Sequence, residues 1–173
     1  LWTDSMGIID CWTAQDIALE RAATAREAVR VMGDLVEQYG WSTVGGGGET
    51  MTVADGEECW IAEFYGRDVW VAVRIPTDHF TVAANRARIM EVDLNDTENV
   101  MASPNIVSFA VEQGWYDPAS GKPFNIAEIY APNDSLYATR REWRAFDLVA
   151  PSLGLSPHDV RFPLSVKPER LLT

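Results

Sequence analysis

The chain has 173 residues, 47% hydrophobic and 10% aromatic, which suits one folded domain with a substantial core. Its 26 acidic residues against 14 basic ones give a net charge of −12, so no nucleic-acid partner is expected, because phosphate neutralisation needs clustered Lys and Arg. No apolar run approaches the roughly 20 residues that span a bilayer and no signal-peptide pattern is found, so no membrane partner is expected and the compartment stays open.

Two helix starts come first. Thr13-Ala-Gln-Asp16 and Thr24-Ala-Arg-Glu27 each place a hydroxyl residue three positions before an acid, the second as a capping box. The first helix should run through Ile17, Ala18 and Arg21. The second carries Ala28, Val29, Met32, Leu35 and Val36 at helical spacing and should stop near Gly40. Cys11, just before the first helix, and Cys59, in a later strand, have no metal or redox spacing and read as small buried residues. A cysteine hydrolase built on either would need His79 or His158 beside it, and no motif supports that pairing.

Gly45 to Gly48 could cradle phosphate only if a helix opened behind them. A strand pattern, Glu49-Thr-Met-Thr-Val, follows instead, which leaves a flexible turn or a close backbone approach. Strands are expected over residues 50–54, 59–65 and 69–75, joined by Asp55-Gly56-Glu57 and Gly66-Arg67-Asp68. The near-continuous apolar run from Trp60 to Tyr65 predicts a sheet covered on both faces. A fourth strand, residues 80–84, leads into Asn85. Further helices are expected over 104–113, 124–130 and 142–149, with turn chemistry at Asp117 to Pro123. Helices on a largely antiparallel sheet make the fold class α+β.

Asn85 reads either as a turn residue or as a side-chain donor for an oxyanion. Thr139-Arg140-Arg141-Glu142-Trp143-Arg144 reads either as a solvated helix start with local pairs to Glu142 or Asp147, or as a guanidinium that anchors a carboxylate or a thiolate. The acidic run from Asp93 to Asn99 fails the calcium-loop pattern, with Glu98 at the required glycine, and should instead cap the next helix. Of seven tryptophans, Trp60, Trp70 and Trp143 belong to packed elements, whereas Trp41 and Trp115 lie near turns and are the candidates for exposure. His79 and His158 read as structural or surface residues.

Four blocks in order carry a resemblance: residues 45–85, VAANRARI (Val82 to Ile89), TRREWRAF (Thr139 to Phe146) and APSLGLSPHDVRFPLSVKPERL (Ala150 to Leu172). Together with EVDLNDTENVM, they resemble the dipeptidases of peptidase family C69, over nearly all the chain and most strongly from Val53 to Ser165. Those enzymes are N-terminal-nucleophile hydrolases. The resemblance implies a four-layer αββα sandwich, a short peptide substrate, a cysteine nucleophile at the mature N-terminus, and no metal or organic cofactor. It implies that Asn85 supports substrate and oxyanion, and that Arg141 is the arginine near the nucleophile, with Arg140 its competitor and a substrate-binding candidate. This chain begins Leu1-Trp2-Thr3, so the expectation is a fragment, inactive alone, with the nucleophile and the first part of the sheet upstream. Exposed apolar surface on such a fragment predicts self-association into a homo-oligomer. The alternative is a complete, non-catalytic binding domain with an aromatic surface around Trp41 and Trp115.

Overall fold

The computed structural model describes residues 7–42 and 48–170. Helix α1 (Cys11–Arg21) begins earlier than Thr13 signals, because Asp10 takes the cap and accepts from the Thr13 N–H at 2.8 Å. Aspartate caps at least as well as threonine, and the earlier start turns both Ala14 and Ala18 into the core. Cys11 is therefore helical. Helix α2 (Ala25–Tyr39) forms as its capping box predicts. Thr24 Oγ1 accepts from the Glu27 N–H at 3.2 Å, the Glu27 carboxylate reaches back to the Ala23 N–H, and Gly40 closes the last turn.

Strands β1 (Glu49–Ala54), β2 (Cys59–Gly66) and β3 (Val69–Ile75) match the expected positions. The first turn is built by Asp55, whose carboxylate accepts from the Glu57 and Glu58 N–H groups and also from the Ala25 N–H at 2.7 Å. One side chain thus shapes the hairpin and ties it to the start of α2. At Gly48 a Cβ would come within 2.4 Å of the Phe64 carbonyl oxygen, so the expected close backbone approach is met there. Gly45, Gly46 and Gly47 lie outside the described residues.

The fourth strand differs from expectation. Only Phe80–Thr81 (β4) is extended and paired, and its partner is β6 (Ser165–Val166) in a separate two-stranded ribbon. Asn85 stands in a bend four residues beyond β4, not at the end of a sheet strand. The main sheet is completed by β5 (Val100–Ala102), giving the antiparallel order β1-β2-β3-β5. Three residues are too short to show a period, so β5 is silent in the sequence. The acidic loop before it does not cap the next helix, α3 (Ile106–Glu112), whose cap residue Asn105 makes no side-chain cap bond. Asp93 and Asp96 instead bind Asn95 and Asn99 within the loop's own turns.

Helix α4 (Ile126–Tyr130) is short, as expected. Helix α5 (Leu136–Val149) is longer than predicted, so the whole Thr139 to Arg144 cluster lies inside it and not at its start. Its opening residues Leu136 and Tyr137 are exposed, which erased the apolar periodicity that would have announced the first turn.

Both faces of the sheet are covered. Trp60, Ala62, Phe64, Trp70 and Ala72 pack beneath α1 and α2 with Met32 and Val36. Ile61, Tyr65, Val71 and Ile75 pack on the other face with Ile89, Phe109 and Ile126. A third cluster around Phe146 and Phe162 joins α5 to the β4–β6 ribbon. The molecule is α+β with a mainly antiparallel sheet and flanking helices.

Candidate functional site

The bend at Asn85, the end of β2 and the outer face of α5 meet around a cavity of about 780 Å³. Its wall includes Thr50, Glu63, Tyr65, Asn85, Asn133 and Arg141. The structure therefore brings together Asn85 and Arg141, which lie 56 residues apart in the chain, and they touch: the Arg141 Nη2 donates to Asn85 Oδ1 at 2.7 Å. Arg141 is held on its other side by the Tyr137 carbonyl, which accepts from its Nε at 2.8 Å, and by the Tyr137 ring 4.0 Å beneath the guanidinium. Because the Asn85 oxygen is taken by Arg141, its amide nitrogen is the free end, with no partner among the described residues. An unpaired amide N–H₂ at a cavity wall can donate to a carbonyl oxygen or to the oxyanion that forms from it. Asn133 fixes the same bend through its Nδ2, which donates to the Asn85 carbonyl at 2.9 Å.

Arg140 is exposed and does not line this cavity, since one step along a helix turns the side chain by about 100°. Arg144 points away as well and pairs with Asp147 at 2.7 Å, the local pair expected for this cluster. Glu142 makes no such local pair. It is fully buried and binds Arg86 and Arg88, both on the segment that follows Asn85.

Sequence reasoning missed Glu63. It sits in mid-strand on β2, almost wholly buried, and accepts from the Tyr65 hydroxyl at 2.6 Å and from the Arg88 and Ile89 N–H groups. The Thr50 hydroxyl completes the set at 3.4 Å. Burial pushes the Glu63 carboxyl above its ordinary value, against these donors. Burial together with the Glu63 charge pushes the Tyr65 hydroxyl well above its own. The signal was present: an acid inside an apolar run of strand residues needs buried partners. Burial also draws the Arg88 guanidinium below its usual range, with Glu142 opposing the shift.

The remaining candidates lie elsewhere. Cys11 and Cys59 are half-buried free thiols, both pushed up by burial, which disfavours a nucleophilic thiolate. His79 bonds Ser165 Oγ through Nδ1 at 2.9 Å on the ribbon, and His158 is exposed. Trp41 is buried to 1% exposure and stacks on Phe64 with ring centroids 4.8 Å apart, so it cannot contribute to an aromatic surface. Trp41 follows the helix-closing Gly40, and a turn position did not keep it out of the core. Trp115 is partly exposed and meets Phe109 and Tyr130 edge-on. Among the described residues, no group of three or more His, Cys, Asp or Glu side chains is arranged to hold a metal ion, and no helix is long and apolar enough to cross a membrane.

A sequence model of peptidase family C69 matches residues 5–173. A "probable dipeptidase" of Salmonella dublin is 36% identical over 159 residues, covering 89% of this chain and 35% of that protein. A "probable dipeptidase" of Latilactobacillus sakei is 34% identical over 153 residues, and "dipeptidase A" of Lactobacillus helveticus 28% over 153, each covering 87% of this chain and 31% of the relative. The chain thus spans about a third of the length of the curated relatives it matches.

Proposed function

The chain belongs to peptidase family C69, and on that premise we propose that it is one domain of a larger dipeptidase, supplying part of an active site that hydrolyses the amide bond of short peptides. The relatives' names and their greater length support this reading. In it, the sheet and helices described above are a central share of an αββα N-terminal-nucleophile sandwich. The nucleophile is a cysteine at the mature N-terminus, contributed from outside these 173 residues, with its own α-amino group as base.

The observation that carries the proposal is the Asn85–Arg141 contact at the cavity wall. The cysteine sulfur attacks the peptide carbonyl carbon, and the carbonyl oxygen becomes an oxyanion. The Asn85 amide, turned outward because Arg141 holds its oxygen, donates to that oxyanion. The α-amino group passes the thiol proton to the departing amine, and water then cleaves the thioester. Arg141 lends positive charge near the developing negative charge. Arg140, outside the cavity wall, is the weaker of the two arginine candidates and takes no step here. No metal or organic cofactor enters this chemistry.

The test begins with the intact mass and N-terminal sequence of the protein as its source organism makes it. A mature N-terminal cysteine on a longer chain, with hydrolysis of a dipeptide panel, is the expected result. In that protein Asn85→Ala should lower kcat by roughly 10²–10³-fold, the cost of removing one oxyanion donor. Wild-type turnover in both Asn85→Ala and Arg141→Ala would overturn the reading.

A further inference from the structure

We infer that Glu142 is a positioning residue: through Arg86 and Arg88 it holds the Asn85 bend against α5, and thereby sets the contact between the Asn85 amide and the Arg141 guanidinium. The inference rests on the proposed roles of those two groups. Glu142 follows Arg141 on α5 but faces inward, and its side chain is fully buried. It accepts from Arg86 Nε at 2.9 and 3.0 Å, from Arg86 Nη2 at 2.6 Å, and from Arg88 Nη1 at 2.7 Å. The other guanidinium nitrogens are anchored too. Arg86 Nη1 donates to the Val160 carbonyl at 2.6 Å, while Arg88 Nε and Nη2 donate to the Val82 and Pro163 carbonyls.

One carboxylate therefore gathers the first and third residues after Asn85. From the opposite side, Glu63 on β2 accepts the Arg88 and Ile89 backbone N–H groups. The segment that presents Asn85 is pinned between a sheet carboxylate and a helix carboxylate.

Asn85 and Arg141 are both exposed, and a pair of exposed polar side chains holds little by itself. The buried cluster behind them is different in kind. Among the described residues Glu142 is the one carboxylate paired with both guanidinium groups. Its removal leaves Arg88 without an ion-pair partner among those residues and Arg86 with only the exposed Asp134 at 3.8 Å, a strongly unfavourable state for two buried charges side by side. The bend and α5 then separate, and the exposed contact cannot hold them. The placement of the site is thus decided by the buried clamp, not by the contact visible at the surface.

The experiment is a double-mutant cycle in the native protein, using Glu142→Gln, Asn85→Ala and the pair. Gln keeps the size of Glu but removes the charge and sets an amide N–H₂ against a guanidinium. Misplacement of a reacting group by about 1 Å costs roughly 10²-fold, so Glu142→Gln should lower kcat by about that factor and leave KM nearly unchanged. On the Asn85→Ala background it should cost nothing further, because the group it positions is gone. A loss that multiplies onto that of Asn85→Ala, or wild-type kinetics with the fold intact by circular dichroism, would overturn the inference.

If Asn85→Ala leaves hydrolysis unchanged, Asn85 is not the oxyanion donor, and the positioning claim is read by nuclear magnetic resonance. Glu142→Gln should then move the Asn85 side-chain amide and Arg141 Nε–H signals while the α2 backbone amides stay in place. Unmoved Asn85 and Arg141 signals would sink it. Should Glu142→Gln not fold, Arg86→Lys keeps the charge, loses the fork, and is read in the same two ways.

Discussion

Glu63 is a carboxyl in a strand whose residues from Trp60 to Gly66 are all buried. Burial raises its folded-state affinity for a proton above that of the unfolded chain, whose glutamates titrate near about 4.3. The linkage sign follows: the Glu63 contribution to stability is fully present below the unfolded value and is lost as pH rises through the higher folded one. Glu63→Gln has no such loss. Its stability relative to wild type should therefore climb as pH is raised from about 4, in urea titrations run side by side. A difference flat with pH would mean that the four donors cancel the effect of burial and leave the group with the same proton affinity folded and unfolded. Family resemblance and the motif around each singled out Asn85 and Arg141 as candidates, but nothing local announced that they touch. The partners of Glu142 were read locally as arginines of its own helix, whereas the real ones are 54 and 56 residues away. Nothing in a local pattern encodes which distant charge a buried acid will meet.

Elements with length and period were readable, and those without were not. α2 shows its cap, its stripe and its stop, and β1 to β3 show turns at both joints. The paired strands β4, β5 and β6 have two or three residues each and are defined only by what they bond. The docking of α2 on the sheet yields a prediction of its own. Gly33 lies on its buried face, and a Cβ there would fall 2.2 Å from the Trp70 ring. In an open helix Gly→Ala gains up to about 1 kcal/mol. Here the ring is held by its Nε1 bond to Glu37 at 2.9 Å and by stacking on Phe64, so it cannot swing aside. Gly33→Ala should be destabilising and lower the urea midpoint. A raised midpoint would show that the Trp70 ring yields.

At the scale of the whole molecule, β2 carries both principal cores, Trp60 and Phe64 on one face and Ile61 and Tyr65 on the other. Neither face can lose its packing without freeing the strand that supports the other, so unfolding should be one transition. Ile61→Ala should cost about 2–5 kcal/mol and keep tryptophan fluorescence and far-ultraviolet circular dichroism transitions coincident, although the tryptophans under α2 lie on the opposite face. Two separated transitions would show that the cores melt independently. The same arrangement places the cavity at the margin of the second core, where the irregular segment after β4 crosses from the ribbon to the sheet.

The sequence by itself determined the α+β class, the sheet covered on both faces, the capped α2 and the family, because caps, turns and periodicities act over a few residues and leave local marks. Tertiary structure alone decided that Trp41 is buried, that Arg141 and not Arg140 faces the cavity, and that Glu142 joins Arg86 and Arg88. Those outcomes depend on which surfaces meet across the chain, between Trp41 and Phe64 or between α5 and the Asn85 segment more than fifty residues before it. In an interior of low dielectric each buried charge takes the partner that the packing brings to it.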